Sequence, residues 1–231
     1  MDLQSAINII FNNSAIAALS GAIVGGIFTR KATLTAHKLN INKSQLNELT
    51  ETKNSLSLIK VELKASWDIY CFEYEQGLMA TPDSAPYLDR WAIGEKTFTI
   101  YESIPECLTK ISTEVAEHVV QAYIRAKGLI AMIHENNRHS EIARNFATEQ
   151  QNSALKTLND NQILLTKEHA EEHMKSFKIF ENLHAIQIGM GAHANAMKLL
   201  SIEITEKIKS LFDELDSEIQ KIDLKISEIA K

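Results

Sequence analysis

Hydrophobic and polar positions follow a different pattern in each stretch of this chain. From Leu3 to Thr29 no charged residue occurs, and Ile9–Phe28 is a mostly apolar run of twenty residues. At about 1.5 Å per residue, such a helix spans roughly 30 Å, the thickness of a bilayer's hydrocarbon core. The run predicts a transmembrane helix over 9–29, with Asn12 and Asn13 near one interface, where polar side chains cost least. From Leu46 onward, Leu49, Leu56, Leu63 and Tyr70 recur every seven residues with Ile59 and Trp67 beside them, predicting one long amphipathic helix that ends near Gly77. Prolines 82, 86 and 105 are the chain's three, so an irregular connection is expected at 77–105, with a short strand or helical turn near Phe98–Tyr101. Helices are expected from about Glu106 to Asn136 and through the remainder. The last of them has the clearest seam, with Ile204, Ile208, Leu211, Leu215, Ile219, Ile222, Ile226 and Ile229 at steps of three or four.

The implied fold is all-α: one N-terminal transmembrane helix followed by an antiparallel bundle of long helices. Arg30, Lys31, Lys38 and Lys43 follow the run closely enough to set topology. Residues 30–231 are therefore expected in the cytoplasm, and residues 1–8 as a short extracytoplasmic N-terminus of a single-pass bacterial inner-membrane protein. Asp2 stands where a cleaved signal peptide would carry basic residues, which argues against one. The net charge of -6 gives no basic field for a nucleic-acid backbone, so direct nucleic-acid binding is not expected. Cys71 and Cys107 form no C-x-x-C pair and are expected as reduced, partly buried thiols.

Within the apolar run, Ala17, Gly21 and Gly25 fall four apart, as do Ala18, Ala22 and Gly26. Small residues at this spacing let two helices approach closely, so self-association in the membrane is expected.

Catalytic signals are sparse. His169-Ala170-Glu171-Glu172-His173 matches the H-x-x-E-H pattern of inverted zinc peptidases, in which His169 and His173 would share a metal and Glu172 would polarise water. The charged stretch around it reads better as a solvated helix face, leaving zinc hydrolysis a minor alternative. No P-loop, glycine-rich dinucleotide turn or G-x-S-x-G elbow occurs, so neither an enzyme nor a cofactor is expected. Trp67, Tyr70, Trp91 and Tyr101 read as core or loop-anchoring aromatics. Asn182–Met197, sixteen residues without formal charge, reads as internal packing or a bend, and alternatively as a segment that enters the membrane after a trigger.

Trp67 and Tyr70, Phe98-Thr99-Ile100-Tyr101, Tyr123-Ile124-Arg125-Ala126-Lys127-Gly128-Leu129-Ile130 and Glu135-Asn136-Asn137, set behind a span with a basic stop, resemble a loose set of small bacterial, N-terminally anchored helical proteins. More distantly they resemble the transmembrane effectors of antiphage retrons. The similarity covers residues 5–137. It implies an inner-membrane effector held silent by a cytoplasmic reverse transcriptase and its RNA–DNA product, then released to damage the membrane. This chain departs from that pattern in offering one convincing span where such effectors have two. A membrane-tethered scaffold for a cytoplasmic partner is the alternative reading.

Overall fold

The computed structural model describes residues 13–94, 97–160 and 166–230, and all regular structure among them is helical. The first helix, α1 (Asn13–Tyr70), runs through the basic cluster without a break. It continues through a π-helical stretch, Cys71–Glu75, into α2 (Gln76–Ala80), ending three residues beyond the expected stop at Gly77. An irregular strap, described over 81–94 and 97–98, leads to α3 (Thr99–Ser103) and a 3-10 turn, Pro105–Lys110. The stretch near Phe98–Tyr101 is thus helical among the two forms expected. Next come α4 (Thr113–Asp160), which starts seven residues after Glu106, α5 (Lys167–Gln187) and α6 (Met190–Ile229).

Two compact units divide the chain, one holding residues 54–221 and the other the described residues up to 53 and from 222 on. In the smaller unit, Lys53 Nζ lies 2.6 Å from Asp223 Oδ1, and Thr52 and Ile222 are buried.

The larger unit is a helical bundle whose directions follow from its cross-links. Lys60 pairs with Asp216 and Glu75 with Ser201, so α6 runs antiparallel to the α1–α2 rod. His118 meets Glu214 and Arg125 meets Glu203, so α6 is antiparallel to α4 as well. Tyr123 reaches Ile59 and Asn136 reaches Tyr74, which makes α1 and α4 parallel. Phe146 stacks on His184 and Gln151 bonds the carbonyl of His173, so α5 also runs antiparallel to α4. The core joins Tyr70, Tyr74, Leu78, Leu129, Ile133, Met197, Ile204 and Ile208. Each buried side chain of this size contributes about 1.5–3 kcal/mol.

Asn182–Met197 is a corner of the bundle. Helix α5 stops at Gln187, Gly189 takes φ +84°, and α6 begins with Met190, Ala194 and Met197 fully buried. Positive φ suits glycine because it has no Cβ to clash. Two residues on, a Cβ at Gly191 would lie 2.1 Å from the Ser84 carbonyl oxygen, so the strap rests directly on the start of α6.

Candidate functional site

Two regions carry the residues singled out from the sequence. The first is the start of α1. At about 100° per residue, Leu19, Ile23, Ile27, Val24 and Phe28 fan across one half of the helix, while Ala18, Ala22, Gly21, Gly25 and Gly26 share the other. The bulky five are between 51% and 67% exposed. A Cβ built at Gly21, Gly25 or Gly26 meets nothing within 4 Å beyond its own helix among the described residues, so none of these glycines is required by a close approach there. Ala17 belongs to the same helix, with its side chain outside the described residues. Arg30, Lys31, Lys38 and Lys43 follow, all exposed.

No helix among the described residues is long and apolar enough to cross a membrane, and the expected span over 9–29 lies only partly within those residues. Residues 9–12, which include Ile9, Ile10 and Phe11, lie outside the described residues, as does the expected N-terminus 1–8. The described part opens on Asn13 and is followed directly by Thr29, Arg30 and Lys31. The basic residues do not stop the helix, since Ala, Leu, Lys and Gln are all good helix formers.

The second region is where the strap crosses the bundle, and the segments at 67–74, 98–101, 123–130 and 135–137 converge there. Asn137 grips the backbone of Trp91 at both ends, accepting its N–H at 3.1 Å and donating to its carbonyl at 2.7 Å. Asn136 donates to the Asp89 carbonyl at 3.2 Å and Ser140 to the Leu88 carbonyl at 2.7 Å. The Trp91 indole N–H donates to Glu73 at 2.8 Å, and its ring stacks on Tyr74 at 5.6 Å. Further along, the Glu62 carboxylate accepts the Ile100 N–H at 2.7 Å, the Tyr101 N–H at 3.0 Å and the Tyr123 hydroxyl at 3.0 Å. Tyr101 stacks on Tyr123 and Phe98 meets it edge-on.

Between these two fastenings lies an apolar cleft of about 280 Å³. Trp67, Tyr70, Trp91 and Phe98 supply its aromatic wall, and Leu129 and Ile133 its floor. Burial pushes the phenols of Tyr70, Tyr74 and Tyr123 well above their ordinary value, and that of Tyr87 up to about 12. Burial, then a hydrogen bond to Glu75, likewise pushes the Cys71 thiol up to about 12. None of these groups is poised as a base or nucleophile near neutrality. Cys71 and Cys107 are both unpaired thiols, the first half-buried and the second buried.

His169, Glu172 and His173 sit in the first turns of α5, with Glu172 exposed. His169 is occupied as a cap, since its Nδ1 accepts the Thr166 N–H and its own N–H donates to Thr166 Oγ1, both at 3.3 Å. Among the described residues no group of three His, Cys, Asp or Glu is placed to hold a metal ion.

No protein-family model, no curated protein and no solved structure matches this chain. The strap fastening was invisible in the sequence. Its only trace is the Asn136-Asn137 pair, set inside a helix where asparagine is a poor former.

Proposed function

We propose that the chain is a non-enzymatic effector or sensor of the bacterial inner membrane, anchored through 9–29 with its helical bundle in the cytoplasm. In this reading it is the membrane-acting component of an antiphage defence system. The observation that carries it is the exposed, charge-free start of α1. Apolar side chains there remain 51–67% exposed among the described residues, and a helix apolar all round is one built to be covered. The bulky half faces lipid. The small-residue half, whose glycines face open space among the described residues, lets two copies associate. Arg30, Lys31, Lys38 and Lys43 hold the basic end on the cytoplasmic side. Following the resemblance, the bundle takes its input from a cytoplasmic protein or ribonucleoprotein such as a reverse transcriptase complex.

Expression of the full chain, with membrane fractionation, membrane potential and viability measured, tests this. Protein retained in membranes after alkaline extraction, with depolarisation that Gly21→Leu and Gly25→Leu abolish while insertion persists, is the expected result. Full extraction at alkaline pH refutes the anchor. Insertion without any effect on potential refutes the effector role.

The scaffold reading has its own observation. On α5, Ile179, Leu183 and Ile186 form a stripe at steps of four and three, each more than half exposed. A partner helix laid along that stripe would bury it.

A further inference from the structure

We propose that the cleft beneath the strap binds a single uncharged, planar aromatic molecule of two to three rings. Its size, wall chemistry and rigidity each point to that class. About 280 Å³ is roughly twice the ~150 Å³ of an apolar cavity that takes one benzene ring. Among the described residues, the polar groups on the wall are the hydroxyls of Ser66, Tyr70 and Thr97 and the indole N–H groups of Trp67 and Trp91, and no carboxylate, ammonium, guanidinium or imidazole of a described residue lines it. A charged ligand would lose its hydration there and find no counter-ion among the described lining residues. Four aromatic side chains contribute to the wall and none is paired face to face across the opening. Trp67 and Tyr70 are tilted by 37° with centroids 4.8 Å apart, and Tyr70 and Trp91 by 50° at 5.9 Å. Tilted faces on adjoining sides favour offset and edge-on packing with a flat guest.

The cleft is also held open. An unfilled apolar space normally collapses as neighbouring side chains relax into it. Here the strap is fastened at 88–91 by Asn136, Asn137 and Ser140, and α3 is fastened by Glu62, so neither can slide inward without breaking several hydrogen bonds. The walls are therefore pre-formed, which lowers the ordering cost of binding. This inference does not depend on the membrane reading.

The test uses the chain's own reporters, because its two tryptophans, Trp67 and Trp91, both line the cleft. The full chain, in lipid nanodiscs where alkaline extraction leaves it in membranes and in buffer where it does not, is titrated with N-phenyl-1-naphthylamine, a neutral dye whose absorption overlaps tryptophan emission, with empty nanodiscs or buffer alone as the baseline. Saturable one-site energy transfer is expected. The sulfonated form of the same ring skeleton, 1-anilinonaphthalene-8-sulfonate, should bind at least about tenfold more weakly. Ala126→Phe on α4 and Ser66→Leu on α1 fill the cleft from different walls, and each should weaken dye binding about tenfold or more while helix content by circular dichroism stays unchanged. Non-saturable uptake equal to the baseline overturns the proposal. So does equal affinity for the sulfonate, a comparison that needs no variant, or undiminished binding in either folded filling variant.

Discussion

Glu62 is the most informative side chain to remove, because it caps a helix from a different element. Phe98 occupies the N-cap position of α3 with φ 61° and offers no side-chain acceptor. The N–H groups of Ile100 and Tyr101, the second and third of that helix, would be orphaned without an outside partner. The Glu62 carboxylate takes both, at 2.7 and 3.0 Å, and the Tyr123 hydroxyl with them. Three bonds at about 0.5–1.5 kcal/mol each sum to about 1.5–4.5 kcal/mol, and a carboxylate acceptor at a helix N-terminus places them in the upper half of that range. The short α3 can fray and let water reach the freed N–H groups, which returns part of that. Glu62→Ala is therefore expected to cost about 2–3 kcal/mol and Glu62→Gln about 1–2, since the amide keeps one acceptor oxygen. Urea unfolding followed by the emission of Trp67 and Trp91 reads the loss. Amide hydrogen exchange at Ile100 and Tyr101 should accelerate in Glu62→Ala ahead of the rest of the bundle. A loss below about 0.5 kcal/mol, or unchanged protection at those two amides, would refute the cap.

Two further consequences are independent of this one. Gly191→Ala places a methyl 2.1 Å from the Ser84 carbonyl, which neither the α6 backbone nor the strap accommodates in place, so a loss of about 1–3 kcal/mol and faster proteolysis of 81–94 are expected; wild-type stability would mean the strap does not rest on α6. The second concerns His118, whose hydrogen bond to Glu214, 2.7 Å away, raises its pKa. A folded-state pKa above the unfolded one adds stability that is full below about 6.5 and fades as pH rises through the raised value. The imidazole is 42% exposed, so the gain is at most about 0.5 kcal/mol, and His118→Gln should flatten that part of the pH profile rather than lower it throughout.

The bundle was legible in the sequence because apolar spacing reports burial directly. Leu56, Leu63 and Tyr70 of the seven-residue repeat are buried, as are Ile204, Ile208, Leu211, Leu215 and Ile222 of the last seam. Where that seam drifts, Ile219 is half-buried and Glu218 takes the inward place, paired with Lys221. The boundaries were less legible. The sequence places a helix from about Glu106, but Pro105 opens a 3-10 turn and the long helix waits until Thr113. The cap of α5 uses histidine where the usual signature has Glu or Gln, so Thr166 gave no recognisable signal. The strap was not legible at all. Its order comes from Glu62, Glu73, Asn136, Asn137, Ser140 and Asn195, residues between 18 and 111 positions away, and no local pattern encodes such pairings.

That absence of local encoding explains the Asn136-Asn137 pair itself. In a helical bundle most backbone groups are satisfied within their own helix, so the orphaned N–H and carbonyl groups lie at helix ends and in the connections. An apolar residue at 136 or 137 would give α4 more helix propensity and the core more buried hydrocarbon. Asparagine gives up both, and Asn136 is fully buried, where an amide costs free energy unless it is bonded. Such a local conflict persists where a site elsewhere needs it. Here the return is the placement of Trp91, which Asn137 fixes by its backbone and Glu73 by its indole. A strap required only to cover the core could have been held by apolar side chains alone. One held at each end by directional bonds, with a tryptophan aimed along an open apolar cleft, is built to keep that cleft's shape.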